Sequence, residues 1–216
     1  MKSRPNRSTI CSSTQVDVLA ATARAAIDWA WTEFAGRVCV LSSMQDAVVV
    51  DLAMHVDRRI PIVFLDTGYH FPETLETLER VEARYGIRAV RVRPAEQPVA
   101  DVAANVCCAS KAAMLAAVLA EHDVWISGLQ RSETEARADA DIIGRDRRGA
   151  VKVNPLAQWS DRDRRAYIDD RRVITNPLLE RGYDSIGCRT CTTIPLDGSR
   201  SGRWAGTEQT ECGLHL

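Results

Sequence analysis

Residues 37–92 read RVCVLSSMQDAVVVDLAMHVDRRIPIVFLDTGYHFPETLETLERVEARYGIRAVRV. Three short apolar runs in it, RVCVLS, IPIVFLD and IRAVRV, have the length and β-branched content of buried strands. Between them, DAVVVDLAMHV and PETLETLERVEARY have the length of helices. The second carries Pro72 near its first turn and stops at Gly86. Further on, SKAAMLAAVLAEH is expected as a helix capped by Ser110, and DVWISG as a fourth strand. Strands alternating with helices of this length predict an α/β domain whose mostly parallel sheet is flanked by helices on both faces.

On the amino side, apolar positions from Asp17 to about Phe34 recur at helical spacing, and residues 1–14 are expected to be a disordered arm. On the carboxyl side, Leu129–Gly149 is polar and arginine-rich without a sustained period. A helix is expected over Asp161–Asp170, capped by Ser160. Beyond Asn176 the chain is glycine-rich and irregular. The expected organisation is a single domain over 15–216, ending in a tail from about residue 199. A net charge of -1 gives no global field toward nucleic acid or membrane. The opening MKSRPNRSTICSST lacks the apolar run of a signal peptide, and no segment approaches the ~20 apolar residues of a membrane span. The expected location is the cytoplasm, without nucleic-acid or membrane partners and with a homo-oligomer left open. In that compartment seven cysteines point to metal or catalysis rather than structural disulfides.

Three groups of residues carry chemistry. Ser42, Ser43 and Asp46 follow the first strand, and Asp66, Thr67 and Gly68 the second. Both turns fall on the carboxyl edge of the sheet, where nucleotides bind and helix N-termini attract anions. Cys107–Cys108 and Cys188-x-x-Cys191 supply four soft ligands. An adjacent pair suits an iron–sulfur cube better than tetrahedral zinc, though zinc stays open on spacing alone. Cys11 and Cys39 are assigned to the arm and the core. Arg131, Arg137, Arg200 and Arg203 stand in irregular segments and suit an anionic ligand. GRDRR and SDRDRRAYIDDRR read as solvated surface charge, His70 and His122 as surface or satisfied histidines, and His55 as a helix residue. Last, TECGLHL places a lone thiol, Cys212, beside His215 near the end of the chain.

The stretches SSMQDAVVVDLA, FLDTGYHFPET, CC, WISG, VKVNPLAQW, NPLLERGYDSIGCRTCT, SGRW and TECGLH together resemble the assimilatory adenylylsulfate (APS) reductases of the APS/PAPS reductase family. The resemblance implies an adenine-nucleotide α-hydrolase-like, Rossmann-like fold. It implies reduction of APS to sulfite and AMP with thioredoxin as donor, through a Cys212 S-sulfo intermediate. Cys107, Cys108, Cys188 and Cys191 match ligands of one 4Fe–4S cluster. Ser42, Asp66 and Gly68 match nucleotide-binding positions, and Arg131, Arg137, Arg200, Arg203 and His215 match groups around the phosphosulfate. Three features depart from the family pattern. Lys111 is followed by Ala112 rather than a second basic residue, so the lysine expected between cluster and substrate is missing. The segment before Cys107 is short, and SETEAR differs from the usual loop. The competing functions are a PAPS or dual-specificity reductase, an ATP-pyrophosphatase of the tRNA-thiolating type, and a non-catalytic iron–sulfur sensor. SSMQD lacks the glycine-rich SGGxD loop of the pyrophosphatases, and the sensor leaves Cys212 and His215 unexplained.

Overall fold

A computed structural model describes residues 7–95, 106–195, 200–205, 211 and 214, without the side chains of 7–14, 106–109 and 200. Helix α1 (Arg7–Glu33) leads into β1 (Val38–Leu41), α2 (Val48–Val56), β2 (Ile62–Leu65), α3 (Pro72–Tyr85) and β3 (Val90–Val92). Then follow α4 (Val106–Leu119), β4 (Val124–Ser127), β5 (Ile143–Arg145), β6 (Val151–Val153) and α5 (Asp161–Arg171). The six strands lie in the order β3-β2-β1-β4-β6-β5, parallel except where β5 runs against β6. The expected α/β sheet is therefore present.

Four boundaries differ from the sequence reading. α1 begins at Arg7, inside the stretch expected as an arm. α4 begins at Val106, so Ser110 lies within the helix rather than capping it. β5 and β6 fall partly in the stretch without period, because a three-residue strand is too short to show alternation. The irregular residues after Asn176 contain short 3₁₀ turns, including Pro177–Arg181, Arg189–Cys191 and Arg200–Gly202. The Ser160 cap is as expected: its hydroxyl accepts from the Asp163 amide at 3.2 Å, and Asp163 reciprocates to the Ser160 amide.

Side chains alternate along each strand and feed two cores. Val38, Val40, Ile62, Phe64, Val124, Ile126, Val151 and Val153 pack with α1, α2, α3 and α5. On the other face Cys39, Val63, Leu65 and Trp125 pack with Met114, Leu115 and Val118 of α4 and with Leu214 from the tail. Burial pushes the Cys39 thiol pKa up to about 12, in keeping with an inert core residue. The first core encloses the carboxylate of Asp51. Asp51 of α2 accepts from the hydroxyls of Tyr85 in α3 at 2.7 Å and Tyr167 in α5 at 2.6 Å. Burial first, then the bond to Asp51, raises the pKa of both phenols, so they stay protonated donors. Asp51→Ala leaves two buried hydroxyls without their acceptor and should cost about 3 kcal/mol in urea unfolding. Tyr167→Phe removes one bond and should cost about 1 kcal/mol.

Candidate active site

The chain runs outward through β1, β2 and β3, then returns to the opposite side of β1 for β4. At that reversal the carboxyl ends of β1 and β4 part, and open α/β sheets bind ligands there. A cavity of about 160 Å³ occupies the place, walled by Ser42, Ser43, Gln45 and Asp46 after β1 and by Ser127, Gly128, Leu129 and Gln130 at the end of β4. Ser42 is buried, and its hydroxyl accepts from the Met44 amide at 3.3 Å. Met44 adopts φ 59, a region that favours glycine. Its buried side chain and the Asn176 amide, donating to its carbonyl at 3.3 Å, hold it there.

Asp66 and Gly68 close the turn after β2 and do not line the cavity. Asp66 accepts from the Gly68 amide at 3.1 Å and from Arg93 Nε at 3.0 Å. Their neighbour Thr67 instead places its hydroxyl 3.1 Å from Cys188 Sγ. His70 follows and, contrary to the sequence reading, faces the cavity. Its Nε2 lies 3.0 Å from the Leu65 carbonyl, and its buried Nδ1 has no hydrogen-bond partner among the described residues. Burial, and after it the Lys111 cation, push the His70 pKa down to about 4, so the ring is neutral at pH 7. Lys111 itself lines the cavity, although it stands one position before the family's expected lysine.

The arginines divide. Arg137 and Arg203 line the cavity, whereas Arg131 does not and gives its Nε to the Ala140 carbonyl at 2.8 Å. The side chain of Arg200 lies outside the described residues. Arg203 lies over the Trp204 ring, 4.3 Å from its centroid, and donates to Ser185 Oγ at 3.4 Å. It has no acidic partner among the described residues. Arg164, read from sequence as surface charge, also reaches the cavity and donates to Asp46 Oδ2 at 2.7 Å. Burial works against its charge, but Asp46 outweighs that and raises its pKa. No signal in the linear sequence separates Arg164 from the solvated arginines beside it, because its partner Asp46 is 118 residues away.

Cys188 and Cys191 are buried side by side, with the Cys191 amide donating to the Cys188 carbonyl at 3.0 Å and Cys188 bridged to His70. Cys107 and Cys108 fall in the first turn of α4, with their side chains outside the described residues. Lys111 is one turn further on, and His70 feels both Lys111 and Cys191. Lys111 and His70 line the same cavity and Cys188 is bridged to His70, an arrangement that fits a centre fed by one cysteine pair from each side. Among the described residues alone, which exclude the first pair's thiols, no three His, Cys, Asp or Glu side chains form a metal site. Cys212 and His215 also lie outside the described residues, while their neighbours Glu211 and Leu214 are both buried.

A six-stranded, mostly parallel sheet with its cavity at the strand reversal is the architecture of adenine-nucleotide α-hydrolase-like proteins. The phosphoadenosine phosphosulfate reductase domain matches residues 37–194, and the chain belongs to that family. More narrowly, it is 44% identical over 210 residues to the adenosine 5'-phosphosulfate reductase of Streptomyces coelicolor, covering 90% of this chain and 89% of that one. It is 47% identical over 190 residues to that of Rhodococcus erythropolis, covering 82% and 77%. Among solved structures, a phosphoadenylyl-sulfate reductase from Candida auris superposes with TM-score 0.69 at 21% identity, covering 82% of this chain and 96% of that chain. Candida glabrata FMN adenylyltransferase shares the fold at TM-score 0.66 and 14% identity, covering 84% and 64%.

Gly187 shows how closely Arg203 is held. A Cβ there would stand 2.5 Å from the Arg203 Cζ, which is the movable end of a long side chain. Gly187→Ala should therefore displace the guanidinium while leaving the melting temperature nearly unchanged. Steady-state turnover should fall about 10²-fold, the scale of losing one preorganised charge donor. Full activity in this variant would remove Arg203 from the site.

Proposed function

We propose that the chain reduces adenosine 5'-phosphosulfate to sulfite and AMP, with thioredoxin as electron donor, as the names of its relatives suggest. The observation that carries this reading is the docking of the tail: Glu211 and Leu214, on either side of Cys212 and Gly213, are both buried, and Leu214 forms part of the cavity wall. The proposed nucleophile of the TECGLH motif thus stands in sequence between two docked residues, one of them on the cavity wall. A cavity of about 160 Å³ is below the ~300 Å³ at which ligand pockets usually begin, so the tail withdraws to admit the nucleotide.

The Cys212 thiolate attacks the sulfur of the sulfonate. The S–S bond forms as the bond from sulfur to the bridging oxygen breaks, and AMP leaves with that electron pair. The cationic wall, Arg203 foremost, stabilises the charge on the departing phosphate. The cysteine then carries –S–SO₃⁻. A thioredoxin thiolate attacks the Cys212 sulfur, sulfite leaves with the electron pair, and the partner's second thiol resolves the mixed disulfide. The two electrons come from that dithiol. Cys107, Cys108, Cys188 and Cys191 would hold one 4Fe–4S cluster, their softness and number suiting iron–sulfur. When bound, the cluster supplies a cross-link between α4 and the 188–191 turn and a local field beside the cavity. Thr67 and His70 orient and screen the 188–191 side of that centre.

Two experiments test the reading. Anaerobically purified protein should be brown, with about four irons and four acid-labile sulfides per chain; stoichiometric zinc without sulfide would sink the cluster. Incubation with adenylylsulfate and no reductant should add one sulfonate mass to the Cys212 peptide. Cys212→Ser should bind nucleotide yet form no adduct and release no sulfite. An adduct on another cysteine would overturn the mechanism, and running phosphoadenylylsulfate in parallel reads the nucleotide preference.

A further inference from the structure

Glu211 directly precedes Cys212, and its side chain is 1% exposed. A buried carboxylate is costly unless its oxygens are satisfied. Here Arg137 grips it with both arms of its fork, Nε to Oε1 at 2.7 Å and Nη2 to Oε2 at 2.6 Å, and the Thr134 hydroxyl adds a bond to Oε1 at 2.9 Å. The third arm of Arg137, Nη1, is taken by Glu133. Glu133 is fixed in turn, because it accepts from the Gln130 amide at 3.2 Å, and the Gln130 side chain donates to the Trp159 carbonyl at 3.0 Å. The guanidinium is 7% exposed and faces two carboxylates. Its fork is committed to protein, which is a poor starting point for binding an anionic substrate. Three residues beyond Glu211, Leu214 is buried against the α4 face of the sheet. One polar and one apolar anchor therefore flank Cys212.

We propose that Arg137 is a positioning residue: by holding Glu211 it sets the register of the tail segment that carries Cys212, instead of clamping the phosphosulfate. This rests on the reading of Cys212 as nucleophile. The Arg137–Glu211 pair acts on approach geometry and leaves nucleotide affinity to the groups on the cavity floor.

The test uses Glu211→Gln, Arg137→Gln, Arg137→Lys and the double variant Glu211→Gln/Arg137→Gln in the full chain. Each single Gln variant should slow single-turnover sulfonation of Cys212 by about 10²-fold, the scale of a ~1 Å misplacement, while AMP affinity stays within about twofold. The double variant should be no slower than the slower single, because both remove one contact. Arg137→Lys should recover part of the rate by restoring a charge opposite Glu211. Without nucleotide, each Gln variant should also raise the rate at which iodoacetamide labels Cys212. That readout needs no chemistry on adenylylsulfate, so it separates a failed anchor from a failed nucleophile assignment. Weaker AMP binding in Arg137→Gln with Glu211→Gln silent would make Arg137 a substrate clamp and overturn the proposal, as would additive losses in the double variant. If Arg137→Gln does not fold, Glu211→Gln decides alone: unchanged sulfonation and unchanged labelling would overturn it.

Discussion

The buried amide of Asn176 holds together the parts of the molecule that no sheet or helix organises. Its Nδ2 donates to the Met44 carbonyl at 3.3 Å and to Thr74 Oγ1 at 3.1 Å, its Oδ1 accepts from the Leu178 amide at 3.0 Å, and its own amide reaches the Gln45 carbonyl at 3.0 Å. Around it, the Ala47 amide bonds the Ile174 carbonyl at 2.9 Å and the Ile186 amide bonds Gln45 Oε1 at 2.9 Å. The C-terminal third has few ladder partners of its own, and buried backbone groups need partners. The loop after β1 supplies them. The same loop forms one wall of the cavity, so the pose of Ser185, Gly187 and Arg203 opposite is set by how residues 174–186 dock on residues 44–47. Met44 keeps its left-handed backbone because this docking over-determines it.

The central fold was legible because strand length, helix length and punctuation agreed. Pro72 and Gly86 bound α3 where the sequence puts them, and Gly86 takes the left-handed cap conformation a helix stop requires. What escaped was short or non-local. Among the described residues β5 pairs only with β6, and three residues carry no periodicity. The start of α4 was misread because Ser110 is a plausible cap in isolation, yet the helix begins four residues earlier at Val106.

The site was legible as a set of residue types, less so as a set of contacts. Charge pairing between distant segments is invisible in a linear string: Arg164 reaches Asp46, and Arg137 reaches Glu211. Both ion pairs turned residues that look like free cations into neutralised ones. Arg203 differs, because among the described residues an aromatic ring and a serine hold it rather than a carboxylate, leaving its charge available to the cavity. His70 was misjudged for a related reason. Besides the local Leu65 carbonyl, its surroundings include Lys111 and Cys191, two distant segments that only the fold brings near it. Lys111 shows the same lesson in the opposite sense. The one-position shift suggested a lost cation, yet the helix still delivers a lysine to the cavity wall.

The two faces of the sheet are covered unequally, and the tail residue Leu214 docks on the thinner side. One face is covered by four helices, the other by α4 with Leu214. Withdrawing Leu214 forfeits roughly 1.5–3 kcal/mol of apolar burial. Breaking a buried ion pair usually costs about 3–5 kcal/mol, because the abandoned partner is left uncompensated. Arg137 is spared that fate, since Glu133 stays bonded to it when Glu211 departs, and the released carboxylate regains water. For the tail opening proposed above, the second carboxylate would lower the cost while preserving the fork that draws Glu211 back. In the mechanism proposed above the cysteine meets a nucleotide first and a second protein afterwards, and the pairing of Arg137 with two glutamates suits such a balance.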